Sequence, residues 1–203
     1  MGVTERHDRE EQARLAAILT AAETVFASKG YYQARMEDIA EAAELAKGTL
    51  YYYFKSKDEI YFRLIAGEAE KIFVGIRRII LEEDSFLQAI EKLLNFYVDY
   101  FHTHPAFLKI FFPCMCGMIR FENTAAASKS AKTYEPHAKL LKEALRKKVL
   151  REKVPVRLDD LMKFLRTLQI GIGMRLLEGE RGEAQHAARF FLDLLKRTME
   201  KSR

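Results

Sequence analysis

The chain has 203 residues, 49% hydrophobic and 31% charged, enough to bury a core in one ordinary domain or two small ones. Only ten glycines and four prolines punctuate it, which points to a mostly helical chain and away from an all-β one. The net charge of +5 invites a nucleic-acid partner, but it is spread unevenly. Residues 1–57 carry eight Lys and Arg against nine Asp and Glu, and residues 139–153 carry seven against two; the latter stretch reads as a solvated helix face.

The opening MGVTERHDREEQAR is charged where a signal peptide would be apolar. Leu15, Ile18, Leu19, Ala22, Val25 and Phe26 then recur at steps of three and four, predicting a helix from about Glu10 to Lys29, stopped by Gly30. Met36, Ile39, Ala40 and Ala43 predict a very short second helix, and after Glu44 to Ala46 a third runs from Lys47 to about Phe54. Neither could stand alone in water. Ser56 to Glu59 is a capping box opening a long fourth helix, with Ile60, Leu64, Ile65, Ile72, Phe73, Ile76 and Ile80 on its buried side.

Ser85 with Gln88 caps a helix reaching His102, and Pro105 suits the first turn of a short one with Phe107, Leu108 and Phe111, interrupted by Pro113. The longest uncharged run, Ile110 to Ile119, is about half a membrane span, so a cytoplasmic protein is expected. Cys114 and Cys116 stand too close together to staple a fold. The small polar stretch Glu122 to Ser130 predicts a loop, followed by a helix to about Lys153 and a break at Pro155. Two last helices, Asp159 to Glu178 and Glu183 to Lys201, are separated by Gly179 and Gly182. The expected fold class is all-α, a three-helix head followed by a connector helix and a larger helical body.

Two short helices joined by a three-residue turn and braced by a longer preceding one form a helix-turn-helix pattern, whose second helix can enter the DNA major groove. Leu50 and Phe54 can pack on Ile39 and Ala43, leaving Lys47, Thr49, Tyr51, Tyr52 and Tyr53 over the remaining surface. Tyr hydroxyls can donate to phosphates, Thr49 can meet a base edge, and Gly48 lets the helix start approach DNA closely. Tyr53 reads equally well as a core aromatic.

Gly30-Tyr31, the stretch Asp38 to Ala43 and the stretch Lys47 to Glu59 together resemble the DNA-binding head of the tetracycline-repressor (TetR) family, over roughly residues 10–65. The resemblance implies a homodimeric one-component transcriptional regulator, usually a repressor. Residues 1–56 would be the DNA-binding head. Residues 57–203, with connector 57–81, would be a helical body that binds a small molecule and dimerises through its last two helices. It implies base contacts at Lys47, Gly48, Thr49 and Tyr52, and phosphate contacts at Tyr51, Tyr53 and Lys57. The family usually has a Ser or Thr cap where Arg35 and Met36 stand, and Arg35 is read as supplying a phosphate contact by charge. Glu44 stands where the turn usually begins with Gly, at a cost of about 1 kcal/mol if the geometry is kept, and Ala46 replaces a usual Ser or Thr cap.

In the body, Tyr97, Phe101, Phe111, Met115, Cys116, Met118, Tyr134, His137, Phe164 and Gln169 are candidates for an apolar ligand pocket with few polar groups. Leu161, Leu165, Leu168 and Ile172 on one helix, with Phe191, Leu194 and Leu195 on the next, are candidates for a four-helix dimer interface. The expected partners are thus an operator duplex, a small apolar ligand and a second copy, with no cofactor and no membrane. Two alternatives stand beside this reading. One is a helical protein-interaction module without a ligand; the other is a metal-responsive regulator using His102, His104, Cys114 and Cys116, whose spacing matches no common zinc pattern. No phosphate loop, nucleophile elbow or metal-hydrolase spacing suggests an enzyme.

Overall fold

The structure, a computed structural model, describes residues 3–119, 121 and 124–201, and the side chains of all of these except 3–4, 124–134 and 136–138. Among the described residues every regular element is an α-helix: α1 (Val3–Gln33), α2 (Met36–Ala42), α3 (Lys47–Tyr53), α4 (Lys57–Glu82), α5 (Phe86–Thr103), α6 (Pro105–Met115), α7 (Thr124–Arg151), α8 (Leu158–Leu177) and α9 (Arg181–Glu200). None is long and apolar enough to cross a membrane. The chain divides into two compact units, Met1–Glu68 with Lys109–Ser130, and Ala69–Leu108 with Ala131–Arg203.

In the first unit, the α1 stripe buries Ile18, Ala22, Val25 and Phe26 against Ile39, Leu50, Phe54, Ile60 and Tyr61. Seven-residue helices such as α2 and α3 are unstable alone, so this shared core holds them. α1 starts at Val3 rather than Glu10, and its helical dihedrals break where expected, at Gly30 (φ 74°, ψ 166°). That region is open essentially to glycine only. Ile110 joins the same core, with Phe111, Cys114, Ile119 and Phe121 packed on it. Tyr61 donates its hydroxyl to the Ile110 carbonyl, and burial, with Cys114 and Tyr31 nearby, pushes its pKa up.

In the second unit, α5, α8 and α9 pack on one another. Their buried stripes are Phe86, Ala89, Ile90, Leu93, Leu94, Val98 and Phe101; Leu161, Leu165 and Ile172; and Ala184, Ala188, Leu192, Leu195 and Met199.

Three expectations are corrected. Ser85 is the N-cap of α5 but makes no side-chain cap; the Phe86 N–H donates instead to Glu152 Oε1 at 2.7 Å. Beside it Lys148 donates to the Glu83 carbonyl and Arg151 to that of Asp84. Lys148 is therefore buried, and that part of the basic run serves the end of α4, where cations offset the helix dipole. Pro113 does not interrupt α6, because a proline in the final turn removes only one helical bond. The loop expected over 122–130 is helical from Thr124, where Ala125 to Ala127 supply the strongest helix propensity.

Four helices end alike. At α2 the Glu44 N–H donates to the Glu41 carbonyl (3.0 Å) and the Leu45 N–H to that of Ala40 (2.9 Å), the paired bonds of a Schellman motif. The same pair closes α6 at Gly117, α7 at Lys153 and α8 at Gly179. The residue in the left-handed region is glycine in two of them, but Glu44 (φ 54°) and Lys153 (φ 51°) in the others.

Candidate nucleic-acid interface

The turn between α2 and α3 keeps the geometry expected of it with Glu44 in the left-handed position. Arg35, the N-cap of α2, donates its backbone N–H to Asp38 Oδ2 at 2.9 Å. Lys29 Nζ lies 2.9 Å from the other Asp38 oxygen, and these two bonds, Lys29 first, hold the Asp38 carboxyl below its usual range. Glu37 pairs with Lys47 across the turn, which lowers the Glu37 pKa and raises that of Lys47. Ala46 caps α3 with no side-chain acceptor. At the other end Lys55 Nζ donates to the Tyr51 carbonyl at 3.0 Å, and the Lys55 N–H donates to Glu59 Oε2 at 2.8 Å. Ser56 Oγ accepts from the Glu59 N–H (3.3 Å), so the capping box forms with its return bond shifted one residue to Lys55.

Leu50 is fully buried, and Tyr53 is half-buried against the core. The opposite face of α3 is turned to solvent. Tyr52 is 75% exposed, Tyr51, Lys47 and Gly48 are exposed, and Thr49 is partly so. A Cβ built on Gly48 would meet nothing within 4 Å, so no contact inside the unit asks for glycine there. The Arg35 residue is exposed as well.

Lys57 has another engagement. Its Nζ donates to the carbonyls of Tyr31 (3.0 Å), Ala34 (3.3 Å) and Tyr32 (3.4 Å) and lies 4.5 Å from the centroid of the Tyr31 ring. It closes the exit of α1, while the adjacent buried Asp58 accepts from the Tyr31 hydroxyl. The resemblance gave Lys57 a phosphate contact and no role inside the fold. Lys55 and Glu37 were missed; a cation just beyond the end of a helix is the signal that would have found Lys55.

The residues expected to line a ligand pocket are divided between the units. Phe111, Met115, Cys116 and Met118 belong to the first, Phe111 packing on its core and Met118 exposed. Tyr97, Phe101, Phe164 and Gln169 belong to the second. There Tyr97 bonds Gln169, and burial pushes its hydroxyl up to about 12. Phe101 is core. Phe164 is 48% exposed and stacks on Phe191 at 4.9 Å. Tyr134 and His137 lie on α7 with side chains outside the described residues.

Of the residues expected at a dimer interface, Leu161, Leu165, Ile172 and Leu195 are buried within the second unit, and Leu168 and Phe191 are half-buried. Leu194, also expected there, is exposed (46%), and α8 and α9 further expose Phe164, Met174, Leu177 and Phe190. His104 stacks on Tyr100 at 4.3 Å and its Nδ1 is 2.8 Å from the Tyr100 carbonyl. It belongs with His102 to the second unit, whereas Cys114 and Cys116 belong to the first. Burial pushes the Cys114 thiol up.

A family model described as bacterial regulatory proteins, tetR family, matches residues 18–64, the span that contains α2, the turn and α3. The chain is 29% identical over 87 residues to the HTH-type transcriptional activator FasR of Mycolicibacterium smegmatis, covering 43% of this chain and 40% of that protein. It is 37% identical over 84 residues to the fatty acid metabolism regulator protein of Bacillus subtilis, covering 41% of each. The matches thus span about two fifths of the length of these relatives. The fold is similar to that of the transcriptional regulator FadR of Bacillus subtilis, solved in complex with stearoyl-CoA, with a TM-score of 0.73 at 17% identity over 89% of this chain and 96% of that one. Helix-turn-helix geometry and family match agree over residues 18–64, which are similar to the DNA-binding segment of the tetR family of bacterial regulatory proteins, and the fold of the chain is that of the solved regulator.

Proposed function

We propose that this chain is a cytoplasmic, ligand-responsive repressor that binds a pseudo-palindromic DNA operator as a homodimer. The observation that carries the reading is α3, a helix anchored by a fully buried Leu50 whose other face presents Gly48 and Tyr52 exposed and Thr49 partly so. An exposed glycine in a helix costs about 1 kcal/mol relative to alanine; close approach to a DNA backbone gives it a use. Thr49, Tyr52, Gly48 and Lys47 read base edges, and Tyr51, Tyr53 and Arg35 hold phosphates. Lys57, spent on three carbonyls, acts mainly by fixing the start of α4. The exposed apolar side chains of α8 and α9 are covered by the same face of a second copy, as two-fold pairing requires. The ligand is mainly apolar, and the relatives named for fatty acid metabolism favour an acyl chain, with the bonded pair Tyr97 and Gln169 as its polar feature in the second unit.

The test is selection of bound sequences from a random duplex library, followed by salt-titrated binding. Thr49→Ala and Tyr52→Ala should each reduce discrimination between the selected and random duplexes by about 1–3 kcal/mol, the energy of reading one base edge. Equal weakening on both duplexes would overturn the assignment of these residues, and absence of any selected sequence would overturn the DNA reading.

A further inference from the structure

We infer that the first unit carries a small-molecule site of its own, a cavity at the C-terminal end of α1 that takes a carboxylate with a small aromatic or apolar body. The cavity is a half-open recess of about 290 Å³ lined by the end of α1, Tyr61 of α4, and Lys109, Ile110 and Pro113 of α6. That volume is at the lower end of the range for small-molecule pockets, which suits a ligand of one ring.

The wall is a set of rings held in fixed relation. Tyr61 meets Phe26 edge-on at 5.2 Å and Tyr31 at 5.0 Å. The hydroxyls of Tyr31 and Tyr61 are taken by Asp58 and the Ile110 carbonyl, so these side chains offer ring surface rather than donors, and ring surface selects an apolar body. The charge is supplied by Lys29 and Lys109, and none of the lining residues is acidic. Lys29 is offset by Asp38 at 2.9 Å. Lys109 is exposed and has no ion pair or hydrogen bond among the described residues. An apolar recess with one uncompensated ammonium selects a monoanion over a neutral or cationic ligand.

The site is separate from Tyr97 and Gln169, which belong to the other unit, and its existence does not depend on the DNA reading. Its wall includes Gly30 to Gln33, the segment that runs through Ala34 into the N-cap of α2. A ligand there packs directly on the joint between α1 and the helix-turn-helix.

The chain has no tryptophan, so Gln33→Trp places a single reporter at the cavity. Titrating the full-length variant with 3-phenylpropanoate should give a saturable change in tryptophan emission, with a Kd on the order of a millimolar or tighter for so small a ligand. The neutral 3-phenylpropanol should bind more weakly, and adding Lys109→Met should weaken the acid about fivefold while leaving the alcohol unchanged. Methyl resonances of Met118, a lining residue, should shift with the same affinity in wild-type protein labelled at its methionine methyls, a readout independent of the variants. No saturable response in either readout overturns the site. Equal binding of acid and alcohol, or an acid affinity indifferent to Lys109→Met, overturns the assignment of an anion.

Discussion

Glu44→Gly should stabilise the protein. Glu44 occupies the left-handed position of the Schellman motif that ends α2 (φ 54°), the position glycine fills at the end of α8 (Gly179, φ 80°). A non-glycine residue pays about 1–2 kcal/mol there, and glycine returns about 0.4–1 kcal/mol through the entropy of its unfolded chain. The Glu44 carboxylate offsets none of this, since it is exposed, makes no hydrogen bond or ion pair among the described residues, and sits at the negative end of the α2 dipole. The expected gain is about 0.5–1 kcal/mol, which for a chain of this size is a rise of about 1–4 °C in Tm. Glu44→Ala is the control, because it removes the same charge but keeps a Cβ at positive φ. Thermal and urea unfolding followed by circular dichroism, with amide exchange of α2 and α3 to localise the effect, measures both variants. A glycine variant no more stable than the alanine one would refute the strain argument, whatever the absolute sign. Lys153→Gly, at the matching position after α7, should behave in the same direction.

Lys57→Met should lower stability by about 1–2 kcal/mol in thermal melts, since three carbonyls lose a charged donor and the Tyr31 ring loses its cation; an unchanged Tm combined with a shallower salt dependence of DNA binding would return it to the phosphate contacts. Leu194→Asp, at an exposed position, should leave the subunit folded and monomeric in sedimentation, whereas Leu165→Asp, at a buried one, should unfold it; monomeric wild-type protein at about micromolar concentration would remove the dimer reading. Acid should loosen the helix-turn-helix through Glu37 and Asp38, whose folded pKa values lie below 4.5 and 3.8. Because they are lowered, their contribution is complete above those unfolded values and is lost as pH falls through the folded ones. Melts across that acid range should show a drop that Glu37→Gln reduces.

Periodicity alone located α1, the partners Ile39, Leu50 and Phe54, and the apolar faces of α8 and α9. An amphipathic stripe, though, states that a face is covered without saying by what. On α8 the sequence grouped Leu161, Leu165, Leu168 and Ile172 as one interface; the core of the second unit takes most of them, and Phe164, assigned to the ligand, is exposed and stacks on Phe191. Lys148 was illegible for a related reason. A cation inside a run of cations looks solvated unless the carbonyl it caps is known, and that of Glu83 lies more than sixty residues away in sequence. Glu44 and Ala46 were legible because their departure from a local geometric rule needs no tertiary information.

The charge of the head acquires a different meaning once its bonds are known. With eight cations and nine acids over residues 1–57, the segment looked poorly suited to a polyanion. Several of those acids are engaged within the unit: Glu37 with Lys47, Asp38 with Lys29 and the Arg35 N–H, and just beyond the segment Asp58 with Tyr31 and Glu59 with the Lys55 N–H. The cations are engaged too, Lys55 on the carbonyls of α3 and Lys57 on those at the end of α1. On the proposed DNA reading, Arg35 and the hydroxyls of the exposed Tyr51 and Tyr52 would therefore carry more of the binding than the lysine count suggests. Neutral donors release no counterions, and each phosphate neutralised contributes only about −0.9 to the salt slope. A head built this way gains its preference for one duplex from shape and hydroxyl contacts, and its affinity should fall less steeply with salt than that of a head whose lysines are free.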